Sequence, residues 1–506
     1  MSGSFVEAFA RHAADRPEAP ALVWEDRPVG YAELYALACR ARAQVEAAVP
    51  DDGRPVGLRV RKSPETVALV LGCLLAGRSF LLPSHELPDA PFGELVRQAG
   101  CSAVLSTQPG ELVDVVVDPH NGPAAPTGHP GGGPGGLPLP RRTAEDAPGF
   151  LLTTSGSTGL PKIVPLPYGA VTRFSVWVGE TFRVGPGTAV LNYAPLNFDI
   201  SLLDVWSTLA CGGTAVLVDP ERATVPRHLR EQIVRHRVRV VQGVPLLFRL
   251  LLETAAEQGP LEGPEHVVFA GDAMPGRLLD ELPRLLPEAR WYNNYGCTET
   301  NNSFLHEVDR ALPVTAPLPI GRPLPGVEWL ITSGDGRALH GPGSGELLVS
   351  TPFQTAGYAN AASGERFGPH PDGVAGRVYY RTGDLATREA DGTVRLVGRQ
   401  DFLVKVRGFQ VSTQSVEDVL LEHPEVVEAA VVALPDPVAG HRLHARIRLT
   451  GPGAAGVLAL RQHCAQRSAR VAVPAVIETV REPLPRTSTG KVDRNRIREQ
   501  LLAAGV

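Results

Sequence analysis

Short apolar runs alternate with helix-like stretches through most of this chain, and that alternation restricts the fold more than any other feature. From about residue 28 to 118 the stretches YAELYALACRARAQVEAAV and PETVALVLGCLLAG alternate with PVGLRV, SAVLST and VDVVV. Residues 150 to 310 alternate again through FLLTTS, TAVLNYA, TAVLVD, VRVVQGV, HVVFAG and RWYNNYG. Strands spaced by helices are buried on both faces, so the expected fold class is α/β, layered on largely parallel sheets. Between the two regions, Pro119 to Pro148 is too rich in Pro and Gly to pack and reads as a flexible surface loop. The G-x-G-x-x-G at Gly131, Gly133 and Gly136 falls inside it. With Pro134 within it, no strand before it and no helix after it, that string is a compositional accident.

The pattern changes at about residue 320. Up to about 400, GVEWLITS, GELLVS, RVYYRTGD and TVRLVGR are short strands punctuated by Gly and Asp-Gly, which predicts a β-rich subdomain. After Asp401 the tail reads as strand (FLVKV), helix (SVEDVLLEH), strands (VEAAVVAL, RLHARIRL), helix (GVLALRQHCAQR) and strand (VIETV). It has its own apolar faces. The expected organisation is a large N-terminal unit over residues 1–400, with the β-rich part at 320–400, and a small mobile α+β domain over 401–506.

At 506 residues, with 43% hydrophobic and 20% charged residues, the chain is too long for a single small binding module and too apolar for a disordered protein. The net charge of -5 supplies no global field for a polyanion, so a nucleic-acid partner is not expected and any phosphate site must be built locally. Six cysteines (Cys39, Cys73, Cys101, Cys211, Cys297, Cys464) lack the spacing of a disulfide framework or a thiolate metal site, which fits a reducing cytoplasm. Phe5, Phe9 and Ala13 repeat at helical spacing, so the N-terminus reads as an amphipathic helix rather than a leader. The apolar stretch Thr66 to Gly77, closed by Arg78, is too short to cross a bilayer and reads as a buried helix, so no membrane partner is expected. The 14 histidines form no H-E-x-x-H, and no G-x-S-x-G elbow occurs.

The chemistry concentrates at Thr153 to Lys162, TTSGSTGLPK, directly after the apolar run FLL. Backbone amides of a Gly/Ser/Thr loop can converge on phosphate oxygens, and Lys162 adds charge. The spacing is not G-x-x-x-x-G-K-[ST], which disfavours a P-loop kinase or ATPase. On composition alone a phosphate loop and a solvated linker both remain open.

TTSGSTGLPK resembles the phosphate loop of the adenylate-forming superfamily, which comprises acyl-CoA synthetases, luciferases and the adenylation domains of nonribosomal peptide synthetases. Further matches follow in the family's order: NFDIS (197–201), NNYGCTET (293–300), GELLVS from Gly345, YRTGDL (380–385), GRQDFLVKVRGFQV (398–411) and PRTSTGKVDR (485–494). The resemblance implies two half-reactions. A carboxylate attacks the α-phosphorus of ATP to give acyl-AMP and pyrophosphate, and a thiol then takes the acyl group. Bringing two anions together needs cations near the approaching oxygens, and magnesium on the triphosphate.

On that resemblance Thr154, Ser155, Gly156, Ser157, Thr158, Gly159 and Lys162 would cradle the β and γ phosphates. Thr298 and Glu299 would face the α-phosphate and magnesium. Asp384 would accept from the ribose hydroxyls, with Arg399 near phosphate or stabilising one domain orientation. Adenine would lie between Tyr295 and the backbone at Gly271, its edge read by Asn293. Lys491 would reach from the small domain to the substrate carboxylate and the phosphate oxygens. Asp401 matches the family's hinge. About it, Lys491 would leave and the loop Lys405 to Gly408 would enter so that a thiol can approach. Where relatives read RGxRIELGEIE this chain has RGFQVSTQSVE, with Gln414 in place of Gly.

Asp199 falls where amino-acid-activating members pair with the substrate ammonium, and a buried carboxylate needs such a partner. Ile200, Leu203, Gln242, Val268, Ala270, Asn294, Asn302 and Ser303 would surround the side chain, an apolar lining with a few amides. The expectation is a stand-alone, monomeric, cytoplasmic ligase for a small neutral amino acid, serving natural-product biosynthesis. It would hand its product to the phosphopantetheine thiol of a separate carrier protein. A β-amino acid, an acyl- or aryl-CoA synthetase and a non-catalytic homologue are the alternatives.

Overall fold

Local sequence sets the first helices. The Ser4 hydroxyl accepts from the Glu7 amide while the Glu7 carboxylate accepts from the Ser4 amide, a reciprocal cap that starts the helix Phe5–Asp15 and turns Phe5, Phe9 and Ala13 inward. Ser63 caps the helix Pro64–Leu75, which has proline at its start and is buried at every position but Glu65. The long apolar stretch is therefore a core helix, packed lengthwise on the helix Tyr31–Ala48. A Cβ on Gly72 would come within 2.8 Å of the Arg42 backbone nitrogen, so glycine is what lets the two helices approach so closely.

The computed structural model describes residues 3–121, 139–141, 143–154, 160–312, 314, 316–361, 366–374, 376–436, 440–451, 455–487 and 490–504. Most of the predicted loop at 119–148, including the accidental G-x-G-x-x-G, therefore lies outside the described residues.

Two layered sheets carry the first part of the chain. A six-stranded sheet runs in the order Val115–Val116, Val104–Ser106, Val56–Leu58, Phe80–Leu81, Pro148–Thr154, Lys162–Pro167, parallel except for its last pair. A nine-stranded sheet runs in the order Arg322–Pro323, Asn301–Glu307, Arg290–Cys297, His266–Phe269, Val238–Gly243, Ala189–Asn192, Thr214–Leu217, Pro20–Trp24, Arg27–Gly30. Every predicted run of residues 150 to 310 contains a strand, but their division between sheets differs from the sequence reading. FLLTTS crosses the Pro/Gly-rich segment to pair in parallel with Phe80–Leu81. The hairpin at residues 20–30 joins the second sheet, Leu22 to Trp24 pairing with Ala215 to Leu217. Periodicity marks a strand as buried without saying which sheet buries it.

In the nine-stranded sheet the chain steps from Ala189–Asn192 to Thr214–Leu217 on one side, and then from Val238–Gly243 outward on the other. The order reverses between Ala189–Asn192 and Val238–Gly243, and a crevice opens beyond the carboxyl ends of such strands. Asn192 and Gln242 stand at those ends.

The predicted β-rich stretch forms a five-stranded antiparallel sheet of Glu328–Thr332, Gly343–Ser350, Tyr379–Arg388, Phe367–Gly368 and Val394–Arg399. After the 3-10 turn Gln400–Phe402 come a two-stranded ribbon, Leu403–Val406 with Phe409–Ser412, and a three-stranded sheet of Val426–Asp436, Gly440–Leu449 and Val476–Val480. The helices Thr413–Leu421 and Val457–Arg467 cover this last sheet around a core of its own, with Val416, Leu420, Val431, Ile447 and Leu460 at its centre. The strand Phe409–Ser412 and the helix Arg494–Ala503 are additions to the sequence reading. All six cysteines are unpaired. Among the described residues no helix is long and apolar enough to cross a membrane.

Candidate active site

The crevice collects several of the residues that the sequence singled out, most of them on strand ends or in the turns beyond them. Phe198, Asp199 and Ile200 follow the strand Ala189–Asn192, and Ala270 and Gly271 follow His266–Phe269. Gly271 has φ +82°, and a Cβ there would lie 3.2 to 3.3 Å from Val244, Ile200 and Phe198. Glycine therefore brings this backbone flush against the crevice wall. Tyr295 to Glu299 lie on and just after Arg290–Cys297, where pairing with the next strand slips at Gly296.

Asp199 is partly open to the cleft, and its Oδ2 accepts from the Thr298 hydroxyl at 2.7 Å. Burial pushes its carboxyl up. The Thr298 hydrogen bond and the Lys491 charge oppose that shift, and the Glu299 charge adds to it. Lys491 lies at the end of a turn in which the Thr487 amide donates to the Lys491 carbonyl at 2.8 Å. Its Nζ sits 5.7 Å from the centroid of the Phe198 ring. Gly490 carries the turn at φ +82°, with Val244 and Leu246 within 3.7 Å of where a Cβ would stand. The tail thus delivers one ammonium group beside Asp199.

Glu299 is buried, and its Oε1 accepts from the Tyr358 hydroxyl at 2.7 Å, which in turn lies 3.1 Å from the Tyr380 hydroxyl. Lys162 Nζ stands 4.7 Å over the Tyr358 ring. Thr154 pairs with Lys162 at the mouth of a hairpin. Ser155, Gly156, Ser157, Thr158 and Gly159, between them, lie outside the described residues.

Asp384 is buried, with Oδ2 accepting from the Tyr295 hydroxyl at 2.5 Å and Oδ1 from Arg399 Nη1 at 2.5 Å. Burial raises its carboxyl, against the pull of the Arg399 guanidinium and the Tyr295 hydroxyl. Arg399 also donates to Asp401 Oδ2 at 3.2 Å, so the expected ribose acid and the expected hinge share one guanidinium. Tyr295, expected to stack on a base, has its ring packed near Phe304 and Ile320 and its hydroxyl on Asp384. The Asn293 amide donates to the Pro319 carbonyl at 2.8 Å.

The residues expected around the side chain divide. Ile200 and Ala270 form one small cluster with Phe198, Ala194 and Val244 at the crevice. Leu203 and Val268 are enclosed in the main core. Gln242 is 1% exposed and its amide is spent on protein groups. Ser303 is buried against Thr300, and the buried Oδ1 of Asn294 has no partner among the described residues. Asn302 is half-buried, its amide donating to Asn301 Oδ1 at 2.8 Å. Sequence reasoning missed Tyr358, whose surroundings TAGYAN carry no motif, and Phe198, which stood in view inside NFDIS.

Residues 9–359 match the AMP-binding enzyme family, and residues 415–491 match the AMP-binding enzyme C-terminal domain. The chain belongs to the AMP-binding enzyme family. It is an ATP-dependent ligase of the adenylate-forming kind, with ATP and magnesium as cofactors. Among similar proteins is an L-proline--[L-prolyl-carrier protein] ligase of Streptomyces coelicolor, 35% identical over 94% of this chain and 86% of that protein. A D-alanine--D-alanyl carrier protein ligase of Bacillus cereus is 25% identical over 98% of this chain and 99% of that protein. The structure of Klebsiella oxytoca NpsA in complex with 3-hydroxyanthranilyl-AMSN superposes with a TM-score of 0.80 at 25% identity, covering 99% of this chain and 100% of that one. The o-succinylbenzoate coenzyme A synthetase of Bacillus subtilis, in complex with ATP and magnesium ion, gives 0.81 at 26% identity, covering 97% and 98%.

The donors of this AMP-binding enzyme suit both groups. Among its described residues no set of three or more His, Cys, Asp or Glu side chains could hold a metal unaided. Magnesium is commonly held by one or two carboxylates together with substrate phosphates, a part for which Glu299 has the right hard oxygens. Each Asp384 oxygen has one described side-chain partner at 2.5 Å and keeps lone-pair capacity for a ribose hydroxyl.

Proposed function

We propose that this enzyme activates a small neutral amino acid to the aminoacyl-AMP with release of pyrophosphate, and passes the aminoacyl group to the phosphopantetheine thiol of a carrier protein in natural-product biosynthesis. The observation that carries the reading is Asp199: a carboxylate raised by burial, facing the cleft, within reach of Thr298 and beside the ammonium of Lys491. A substrate ammonium would neutralise it, and a fatty or aryl acid would leave it uncompensated. The apolar surface of Ile200, Ala270 and Phe198 supports a short neutral side chain.

Each group then has a part. Lys491 would neutralise the oxygens where carboxylate and α-phosphate converge, Glu299 would hold magnesium, and Asp384 would fix the ribose. Magnesium, when bound, would offset the triphosphate charge. Similarity to proteins named carrier protein ligases for proline and D-alanine supports the carrier as acceptor. A cavity of about 230 Å³ is lined by Phe198, Ile200 and Val244 together with Arg486, Thr487 and Gly490 of the tail.

Substrate-dependent ATP–pyrophosphate exchange tests the reading with L-proline, L-alanine, D-alanine, L-serine, β-alanine, benzoate and octanoate, followed by mass spectrometry of holo-carrier protein and of CoA. Exchange with one of the neutral amino acids, and loading of the carrier well ahead of CoA, is the expected result. Exchange confined to benzoate or octanoate, or CoA charged as readily as the carrier, would overturn it.

A further inference from the structure

Behind the crevice wall, at the point where strand order reverses, lies a buried polar group that neither half-reaction uses. Asp204 is fully buried on the π-helical turn Leu202–Ser207, in the otherwise apolar run SLLDVW. Its Oδ1 accepts from Gln242 Nε2 at 3.0 Å and its Oδ2 from Asn192 Nδ2 at 3.3 Å, so the two strand ends that flank the crevice converge on one carboxylate. Gln242 Nε2 also donates to the Ile200 carbonyl at 3.1 Å. The Asn192 carbonyl accepts from the buried ammonium of Lys62 at 3.2 Å, as does that of Tyr193. A charged couple of opposite sign is thus enclosed with Asn192 between its members, a costly arrangement that a well-packed apolar core would avoid.

The geometry has a consequence for the substrate site. Ile200 is bonded to Asp199, and its carbonyl stands one residue beyond the Asp199 Cα, in the peptide that links Ile200 to Ser201. Asp204, an acceptor on both oxygens, compels Gln242 to present its amino rather than its carbonyl end. That end reaches the Ile200 carbonyl, and the carbonyl fixes the backbone from which the Asp199 carboxylate points. We propose that Asp204, through Gln242, is a positioning residue for the amino-acid ammonium, and that Lys62 is the counter-charge that permits it to be buried. The proposal rests on the amino-acid reading of Asp199. Burial works against both charges, pushing the Asp204 carboxyl well up and the Lys62 ammonium down to about 7, and the attraction of each for the other offsets part of that cost.

The test separates positioning from mere support of the fold. Wild-type enzyme is first assayed for exchange with L-proline, L-alanine, D-alanine, L-serine and β-alanine. Silence with all five sinks the amino-acid reading before any variant is made. With the best of the five, Asp204→Asn, which keeps the shape and lets the Gln242 amide turn over, is expected to raise the amino-acid KM about tenfold, with the ATP KM and kcat changed no more than about threefold. The decisive variant is Lys62→Met with Asp204→Leu. Removing both charges together restores the melting temperature that either single change lowers, because an apolar pair replaces a buried ionic one at little or no cost. The amino-acid KM nevertheless stays raised, since Gln242 then has only the Ile200 carbonyl to orient it. Gln242→Met should raise the same KM in an otherwise intact protein. A double variant with wild-type KM, or an Asp204→Asn enzyme whose ATP KM rises equally, would overturn the proposal.

Discussion

Burial lifts the Asp199 carboxyl while the Thr298 hydroxyl and the Lys491 charge pull the other way, so function and stability make opposite demands on one side chain. The native protein holds a proton at Asp199 over a range in which the unfolded chain, near 3.8, has released it. Stability contributed here is therefore lost as pH rises from about 3.8 through the raised native value. Asn carries no charge at any pH and escapes that loss. Asp199→Asn is expected to melt about 1–2 °C above wild type at pH 8, the difference closing as pH falls toward 4, because about 1 kcal/mol is worth only a few degrees in a chain this long. The same change should cut amino-acid-dependent exchange by about 30-fold or more, the cost of removing one partner of an enclosed charge pair. Calorimetry and pyrophosphate exchange on one preparation check both signs, and an Asn variant that is less stable at pH 8 would show that Asp199 is held for the fold.

Three elements meet at another acid. The strand Val426–Asp436 carries Glu428, which is 4% exposed and whose Oε1 accepts from Arg249 of the helix Pro245–Gln258 at 3.0 Å, and from Arg486. The Leu484 amide donates to Oε2 at 3.0 Å, and Arg486 Nη1 reaches the Gly490 carbonyl at 2.6 Å, one residue before Lys491. Burial alone would raise the Glu428 carboxyl, but the Leu484 amide and the Arg486 and Arg249 guanidiniums outweigh it and hold it low. Its stabilisation is present above the unfolded value of 4.5 and is lost as pH falls through the depressed native one. Arg249 joins this cluster from outside the tail, so Arg249→Leu should loosen the Lys491 turn without unfolding the tail. Exchange is expected to fall about fivefold to tenfold, with transfer from preformed aminoacyl-AMP to carrier changed less than about twofold, as for a partly exposed ion pair that orients rather than reacts. Equal losses in both assays would contradict it. None of this was legible in the sequence, where Glu428 reads as one acid in the apolar run VVEAAVVAL. The strands themselves were legible, because burial on both faces writes continuous apolar runs. The helix Arg494–Ala503 was not, since Ile497 and Leu501 alone mark its buried face.

At the scale of the molecule, the order of motifs along the chain foretold the assembly of the crevice but not the hydrogen bonds inside it. Asp199, Thr298 and Lys491 are far apart in sequence, and a motif states which residues belong to a site without stating that Thr298 bonds Asp199 or that Tyr295 bonds Asp384. Those pairings depend on a register slip at Gly296 and a strand order that reverses at Asn192, neither of which leaves a local trace. The proposed function asks for a division of labour. On it, Lys491 would serve the first half-reaction only while the tail faces the crevice as it does here, and a thiol would need the space that its turn occupies. Asp401, tethered to Arg399 at 3.2 Å and to Arg366 at 3.7 Å, sits where the chain passes from the five-stranded sheet into the tail. Lys491→Gln should therefore lower exchange about 100-fold to 1,000-fold, the range for losing one preorganised cation or donor at a developing charge, while transfer from preformed aminoacyl-AMP persists. Asp401→Pro, by fixing φ at the turn, should do the reverse: exchange within about threefold of wild type, and carrier loading strongly reduced. The two variants cross only if one tail serves two orientations. If both lost the same half-reaction, the tail would be a fixed wall of a single site, and the ammonium of Lys491 would have no reason to stand on a separate core.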